Sequence, residues 1–200
     1  MTISLAIDTA TSRTSVAIVD QGAILWHGYR DGATSHGDAV PALVAQALIV
    51  QPTVEQVVVG MGPGPFTGLR VGIAFARTFA RARDLPVYGV CSLDAIAALV
   101  REENEFIIAT DARRKEIYWA KYSEGKRVEG PSVDHPEAVV QLGLAVFGEG
   151  AVKYSLSESD EIQFPDLLSL VAISENPLLC ISEPLYLRRP DAIPTSERPL

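Results

Sequence analysis

The pattern of apolar and polar positions predicts three short strands at the start of the chain. Residues 3–8 are mostly apolar and end in the carboxylate of Asp8, whereas residues 14–20 alternate between apolar and polar side chains. A turn at Gln21-Gly22 leads into residues 23–30, a third run that is compatible with a strand. We therefore expect two strands, a tight turn and a third strand in this order.

The same pattern recurs in the second half of the chain. Residues 106–111 form an apolar run that ends in a carboxylate, residues 116–122 are rich in β-forming side chains, and another strand follows a turn. In both copies 14 positions separate the carboxylate from the turn glycine, namely Asp8 from Gly22 and Asp111 from Gly125. We interpret this agreement as a duplicated β-β-β-α unit.

Two mostly apolar helices are predicted between the copies, over residues 38–50 and 68–83, and a third over residues 93–103 with Ser92 as its N-cap. The first helix is apolar on all sides, which favours contact with a partner protein. The second carries a stripe of small residues that permits close backbone approach. An alternative is that the stripe packs on the chain's own sheet. The predicted partner interface consists of Val40, Leu43, Ala47, Arg70, Gly72, Ala76, Arg77 and Ala80.

A loop with two Gly-Pro pairs precedes the second helix and follows a β-branched strand over residues 56–60. Thr67 is the predicted N-cap of that helix. Two interpretations are open, because a helix N-terminus suits an anion, whereas the loop also serves as a stiff connection without a ligand. We call residues 62–68 the signature loop, which consists of Gly62, Pro63, Gly64, Pro65, Phe66, Thr67 and Gly68.

The signature loop and four other segments resemble the bacterial TsaB (YeaZ) family, the non-catalytic partners in the synthesis of tRNA threonylcarbamoyladenosine. The other segments are residues 6–11, 111–118, 147–151 and 184–190. The resemblance implies the actin, hexokinase and Hsp70 ATPase fold, an α/β architecture of two lobes. We expect lobes at residues 1–103 and 104–200, with the C-terminal tail packing back on the first lobe or reaching a neighbouring protein.

In that fold the carboxylates at the strand ends face each other across a nucleotide cleft. The corresponding residues here are Asp8, Thr9, Thr11 and Asp111, which we expect to line a vestigial or working cleft. The alternative is ordinary turn chemistry, because Asp bonds to its own backbone after a strand. The turn after Asp8 has no glycine for close approach of a phosphate, and Glu149 in the later Gly148-Glu149-Gly150 turn would repel one.

No metal site and no cofactor is predicted. The resemblance implies that the catalytic relative holds a metal with two histidines spaced four apart, but here His36 is followed by Val40 at that spacing. The chain also has no His-Glu-x-x-His motif, no Gly-x-Ser-x-Gly motif and no histidine placed beside Cys91, which disfavours a peptidase.

The net charge of −8 disfavours the chain as the main nucleic-acid-binding surface. No apolar run is suited to spanning a bilayer, and the two cysteines, Cys91 and Cys180, are expected to be reduced thiols in the cytoplasm.

From the resemblance we expect a non-catalytic subunit that binds and activates the metal-bearing catalytic paralogue, TsaD. The complex would transfer a threonylcarbamoyl group from its adenylate to adenosine 37 of tRNAs that read A-starting codons. A small ATPase, TsaE, would join the pair, tRNA would be bound only through the complex, and the chain alone would be able to form a homodimer. An ATP-dependent small-molecule kinase of the same fold is the alternative, and a peptidase is a more distant one.

Overall fold

The computed structural model describes residues 2–102, 104–157 and 160–188 of the 200-residue chain. Two β-sheets organise these residues. The first sheet has the strand order β3-β2-β1-β4-β5, in which β1 pairs antiparallel with β2 and parallel with β4. Its strands are β1 (Ser4–Asp8), β2 (Arg13–Asp20), β3 (Ala23–Asp31), β4 (Gln56–Gly60) and β5 (Val87–Val90).

The second sheet has the strand order β8-β7-β6-β9, with β6 antiparallel to β7 and parallel to β9. Its strands are β6 (Phe106–Arg113), β7 (Glu116–Ser123), β8 (Lys126–Asp134) and β9 (Ala145–Phe147). The helices are α1 (His36–Val50), α2 (Phe66–Ala82), α3 (Ser92–Ala97), α4 (Pro136–Val140), α5 (Glu149–Lys153) and α6 (Leu167–Ser174).

The two sheets repeat one topology, which confirms the predicted duplication and the fold class. The order β3-β2-β1-β4 matches β8-β7-β6-β9, and the first sheet adds β5. The turns also match, because Gln21 and Gly22 have φ of 50° and 74° while Glu124 and Gly125 have φ of 50° and 70°. Two successive residues at positive φ form the turn that suits the twist of paired strands.

Strand alternation sends side chains to both faces of the first sheet, and helices cover each face. Leu5 and Ile7 of β1 join the core under α1 and α2, whereas Ala6, between them, faces the core formed with α6. In the second sheet Phe106 and Ile108 pack against α3, and Ile107 and Ala109 face the core with α4 and α5. The short helix α3 contributes buried side chains toward both sheets.

Several helix termini differ from the sequence predictions. Helix α1 begins at His36, and α2 begins at Phe66 with Pro65 as its N-cap residue, so the prediction of Thr67 as N-cap is wrong. Helix α3 ends at Ala97, although we predicted it over residues 93–103. The N-cap residue of α3 is Cys91 and its first residue is Ser92, so the prediction of Ser92 as N-cap is wrong. The Ser92 hydroxyl donates instead to the Asp8 carboxylate.

The division into residues 1–103 and 104–200 stays a prediction. Leu167 and Leu170 of α6 belong to the second half of the sequence, yet they pack on the first sheet. The predicted boundary at residue 103 lies outside the described residues.

Candidate functional site

The first half of the candidate cleft is the turn of residues 8–13 between β1 and β2, which we call the first turn. Asp8 at its start is 1% exposed, and its carboxylate accepts hydrogen bonds from Ser92 Oγ at 2.6 Å and from the backbone N–H of Ala10 at 2.8 Å. Burial raises the pKa of Asp8 to about 6 from its ordinary 3.8. The two hydrogen bonds oppose this rise, and the charge of Glu149 adds to it.

The signature loop packs directly on the first turn. Thr9 Oγ1 donates a hydrogen bond of 2.8 Å to the carbonyl of Gly68, and a Cβ at Gly68 would lie 2.9 Å from the carbonyl oxygen of Thr9. A Cβ at Gly64 would collide with the backbone of Ala10, and one at Gly72 with the Thr9 side chain. The glycines therefore permit close backbone approach, as expected where a turn and a helix start touch.

Further hydrogen bonds hold the signature loop and the first turn in place. Thr11 is buried, and its hydroxyl lies 3.4 Å from the carbonyl oxygen of Arg13, to which it donates. Gly62 has φ +89°, and its carbonyl accepts a hydrogen bond from the backbone N–H of Ser92. Pro63 is buried, and Thr67 is exposed. These contacts favour the interpretation of the signature loop as a stiff connection.

The second half of the cleft centres on Asp111 in β6. Its side chain is 8% exposed and accepts hydrogen bonds from Lys153 Nζ at 2.6 Å and from the Tyr154 hydroxyl at 3.2 Å. The Arg113 guanidinium lies 3.4 Å from the same carboxylate, and the Arg113 backbone N–H donates to it at 3.1 Å. Asp111 is thus held by the Arg113 cation of its own strand and by the Lys153 cation and the Tyr154 hydroxyl at the end of α5.

Glu149 connects the two halves of the cleft. This residue begins α5, is 8% exposed, and both of its carboxylate oxygens accept from the Ser12 backbone N–H, at 3.2 and 3.1 Å. The Ser12 hydroxyl donates a further hydrogen bond of 2.5 Å. Burial raises the pKa of Glu149, with a further contribution from the charge of Asp111, while the bonds from Ser12 and from the Asp111 backbone act against the rise.

The C-terminal tail crosses from the first sheet to the second, and we call residues 181–188 the tail strap. The backbone N–H groups of Ile181 and Leu185 donate to the carbonyls of Gly89 and Met61. Tyr186 packs on Phe66 of the signature loop with ring centroids 5.0 Å apart. Arg188 then ion-pairs with Glu116 at 2.6 Å and donates to the Ala112 carbonyl at 2.8 Å. The strap therefore contacts both sheets, and Arg189 and Pro190 lie outside the described residues.

The predicted partner interface needs correction. Six of its eight residues lie inside the chain's own core because α1 and α2 turn these side chains toward the first sheet: Val40, Leu43, Ala47, Gly72, Ala76 and Ala80. The small-residue stripe thus packs on this chain's own sheet and turn, the alternative that the sequence left open. Arg70 and Arg77 are exposed, although Arg77 also donates a hydrogen bond to the Ser182 carbonyl of the tail strap.

The three histidines are not gathered into one site. His36 is 4% exposed, and its Nδ1 shares a 2.7 Å hydrogen bond with Thr14 Oγ1. Its pKa is lowered by burial and by the charge of Arg113. Among the described residues no group of three or more His, Cys, Asp or Glu side chains is arranged to hold a metal ion. Within the same ranges, no helix is both long and apolar enough to cross a membrane.

Sequence reasoning missed three members of the site, namely Ser12, Ser92 and Lys153. No local motif marks them, because Ser12 and Ser92 act on carboxylates 137 and 84 positions away in the chain. The signal for Glu149 was present, since it lies in one of the segments that resemble the family. Its position between the two strand-end aspartates depends on the packing of the two halves.

Comparisons with known proteins bear on the family of the chain. A family model described as TsaD, tRNA N6-adenosine threonylcarbamoyltransferase, matches residues 32–177. An uncharacterized protein of Mycobacterium leprae is 41% identical over 97% of this chain, and the chain spans 57% of that protein's length. The tRNA threonylcarbamoyladenosine biosynthesis protein TsaB of Escherichia coli is 35% identical over 72% of this chain and 68% of its own length.

A solved structure described as YeaZ from Pseudomonas aeruginosa superposes with a TM-score of 0.70 and 26% identity, covering 88% of this chain and 91% of that one. The sequence match to the E. coli protein and the structural match to the P. aeruginosa protein point to one family. In the described fold the signature loop packs against the first turn of a duplicated α/β scaffold. The chain belongs to the TsaB (YeaZ) family, within the larger group that the TsaD model describes.

Proposed function

We propose that this chain is the non-catalytic, activating subunit of a tRNA N6-adenosine threonylcarbamoyltransferase complex, and that it acts by binding a metal-bearing TsaD paralogue. The observation that carries the proposal is the match to E. coli TsaB, a tRNA threonylcarbamoyladenosine biosynthesis protein. The assembled complex then modifies adenosine 37 of tRNAs that read A-starting codons, in the cytoplasm. TsaE is a third component, and tRNA contacts this chain only within the complex.

The state of the cleft supports a role in binding rather than catalysis. Asp8 and Asp111, the two carboxylates at the strand ends, are each engaged by donors of this chain. The Glu149 carboxylate accepts hydrogen bonds from the backbone N–H and the hydroxyl of Ser12 in the first turn, so these donors are already engaged. A kinase of this fold uses such groups for a nucleotide phosphate and its metal ion, so their internal engagement favours a scaffold.

The outer faces of α1 and α2 are the proposed contact surface for the paralogue. Ile49 is 81% exposed and Val50 is 54% exposed at the end of α1. On α2 the exposed side chains include Ala74 together with the arginines at positions 70, 77 and 81. Exposed apolar side chains beside cations suit a partner helix that is apolar and acidic. The same surface is available to a second copy, so a homodimer would compete with the complex.

Reconstitution tests the proposal. The chain is mixed with the TsaD and TsaE proteins of the same organism, and threonylcarbamoyladenosine formation in tRNA is measured with each component left out in turn. We expect formation to need both the chain and the paralogue. The kinase alternative is tested by titration with ATP and Mg²⁺, and ATP turnover by the isolated chain would contradict the scaffold role.

A matched pair of variants tests the surface. Ala74→Glu places a charge on the outer face of α2, whereas Ala138→Glu makes the same change on α4, where the alanine is also exposed. We expect Ala74→Glu to weaken complex formation about 30-fold or more, which corresponds to the lower end of the cost of a charge left unpaired in an interface. Ala138→Glu should bind as the wild type does. Equal affinities for both folded variants would place the interface elsewhere.

A further inference from the structure

The Glu149 carboxylate contacts the first turn in the way that a bound anion would. Ser12 donates all three hydrogen bonds to this carboxylate. Its backbone N–H donates to both carboxylate oxygens, and its hydroxyl donates to one of them. A backbone N–H and a neighbouring hydroxyl at a turn are donors that also bind a phosphate oxygen. The carboxylate thus uses the donors that a phosphate group would need.

The electrostatic surroundings show how the chain accommodates this anion. Glu149 is the carboxylate that both strand-end aspartates have in common, because the charge of Glu149 raises the pKa of Asp8 and the charge of Asp111 raises the pKa of Glu149. Two cations, Lys153 and Arg113, contact Asp111. With Glu149 in place, an incoming phosphate would meet an additional negative charge and find the Ser12 donors occupied.

We propose that the Glu149 carboxylate is a built-in substitute for a phosphate group, which fills the anion position of the first turn and keeps the cleft closed to phosphate-bearing ligands. The contact also holds α5 of the second half to the β1–β2 turn of the first half. Removing the carboxylate frees the Ser12 N–H and hydroxyl and removes one negative charge, so the turn becomes a site for a phosphate group. Glu149 plays this part within the chain itself, whichever protein the chain binds.

The test compares the wild type with Glu149→Ala and with Glu149→Gln, a neutral variant of nearly the same size. The control is Glu137→Ala, which removes one negative charge from an exposed position near the start of α4. Inorganic phosphate and ATP, each with and without Mg²⁺, are titrated into the four proteins by calorimetry. We expect Glu149→Ala to bind inorganic phosphate about tenfold or more tightly than the wild type and the control do.

Hydrogen exchange of the Ser12 amide is the second measurement. We expect this amide to exchange about tenfold faster in Glu149→Ala than in the wild type, because it loses its acceptor. Should Glu149→Ala fail to fold, Glu149→Gln carries the same comparison, with a weaker acceptor and no charge. ATP binding without inorganic phosphate binding would overturn the proposal, since the nucleotide would then be held by its base or sugar. So would a folded Glu149→Ala that binds neither ligand, or unchanged exchange at Ser12.

Discussion

The hydroxyl of Ser92 donates a 2.6 Å hydrogen bond to the buried carboxylate of Asp8, across 84 positions of sequence. This bond joins the first residue of α3 to the last residue of β1. A buried carboxylate without such donors would be strongly destabilising. The pair therefore ties the start of the helix between the two sheets to the edge of the candidate cleft, and Asp8 has a structural role whether or not the cleft ever holds a ligand.

Asp8 makes the stability of the fold depend on pH. Its pKa is about 6 in the folded chain against 3.8 for an ordinary aspartate. The folded state therefore binds the extra proton, so its contribution is fully present below pH about 4 and is lost as the pH rises through about 6. We expect Asp8 by itself to lower the free energy of unfolding on the order of 2–3 kcal/mol across this window.

Urea unfolding of the wild type and of Asp8→Asn at several pH values measures this dependence. Asp8→Asn should be less sensitive to pH between 4 and 6. The remaining slope comes from Glu149 and Asp94, whose pKa values are also raised, and is opposed by His27 and His36, whose pKa values are lowered. The control is Asp84→Asn, the same change at an exposed position, which should keep the wild-type slope. An unchanged slope in Asp8→Asn would contradict the assignment.

Ala76 and Ala74 separate the inner face of α2 from its outer face. Ala76 is fully buried in the core under the first sheet, and Ala74 is exposed two residues earlier. Ala76→Glu should destabilise the isolated chain by about 4 kcal/mol or more, because it buries an unpaired charge and overfills the core. Ala74→Glu should change stability by about 0.5 kcal/mol or less. Circular dichroism during urea unfolding distinguishes them, and a stable Ala76→Glu monomer would refute the packing described for α2.

The tail strap should add measurable stability through Arg188 and Glu116. Their 2.6 Å ion pair is partly shielded, and Arg188 also donates to a backbone carbonyl. A double-mutant cycle with Arg188→Ala and Glu116→Ala should give a coupling energy of about 1 kcal/mol. The looser pair of Lys121 and Glu105, separated by 3.7 Å, serves as the comparison and should give about 0.3 kcal/mol or less. Equal couplings would mean that the strap's ion pair is no stronger than an ordinary surface pair.

The two cysteines should differ in reactivity toward a thiol reagent. Cys91 is fully buried, and burial raises the pKa of its thiol to about 12. Cys180 is only half-buried, although burial also raises its pKa. We expect one thiol to react in the native protein and two in urea, because the thiolate is the reactive form and must be reached by the reagent. Cys180→Ser should abolish labelling of the native protein, and rapid native labelling of that variant would show that Cys91 is accessible.

The repeated strand pattern was readable from the sequence because it is local. Alternating or continuous apolar runs specify a strand by the period of the side chains, and each tight turn is specified by its glycine and the residue before it. Asp8 and Gly22 were therefore enough to find their counterparts Asp111 and Gly125, and the two sheets repeat the predicted order. The family signature could likewise be read from short segments.

Tertiary packing decided which side chains meet and which faces remain exposed. An all-apolar helix such as α1 carries no sequence signal for its inner side. The sequence therefore predicts that Val40, Leu43 and Ala47 contact a partner, whereas they face the chain's own core. The contact of Glu149 with Ser12 spans 137 positions and depends on how the two halves pack. The sequence by itself determined the strands, the turns and the family, because these rest on local periodicity and conformational preference. Only the tertiary structure decided the contents of the cleft and the free surface, because both depend on contacts between residues far apart in the chain.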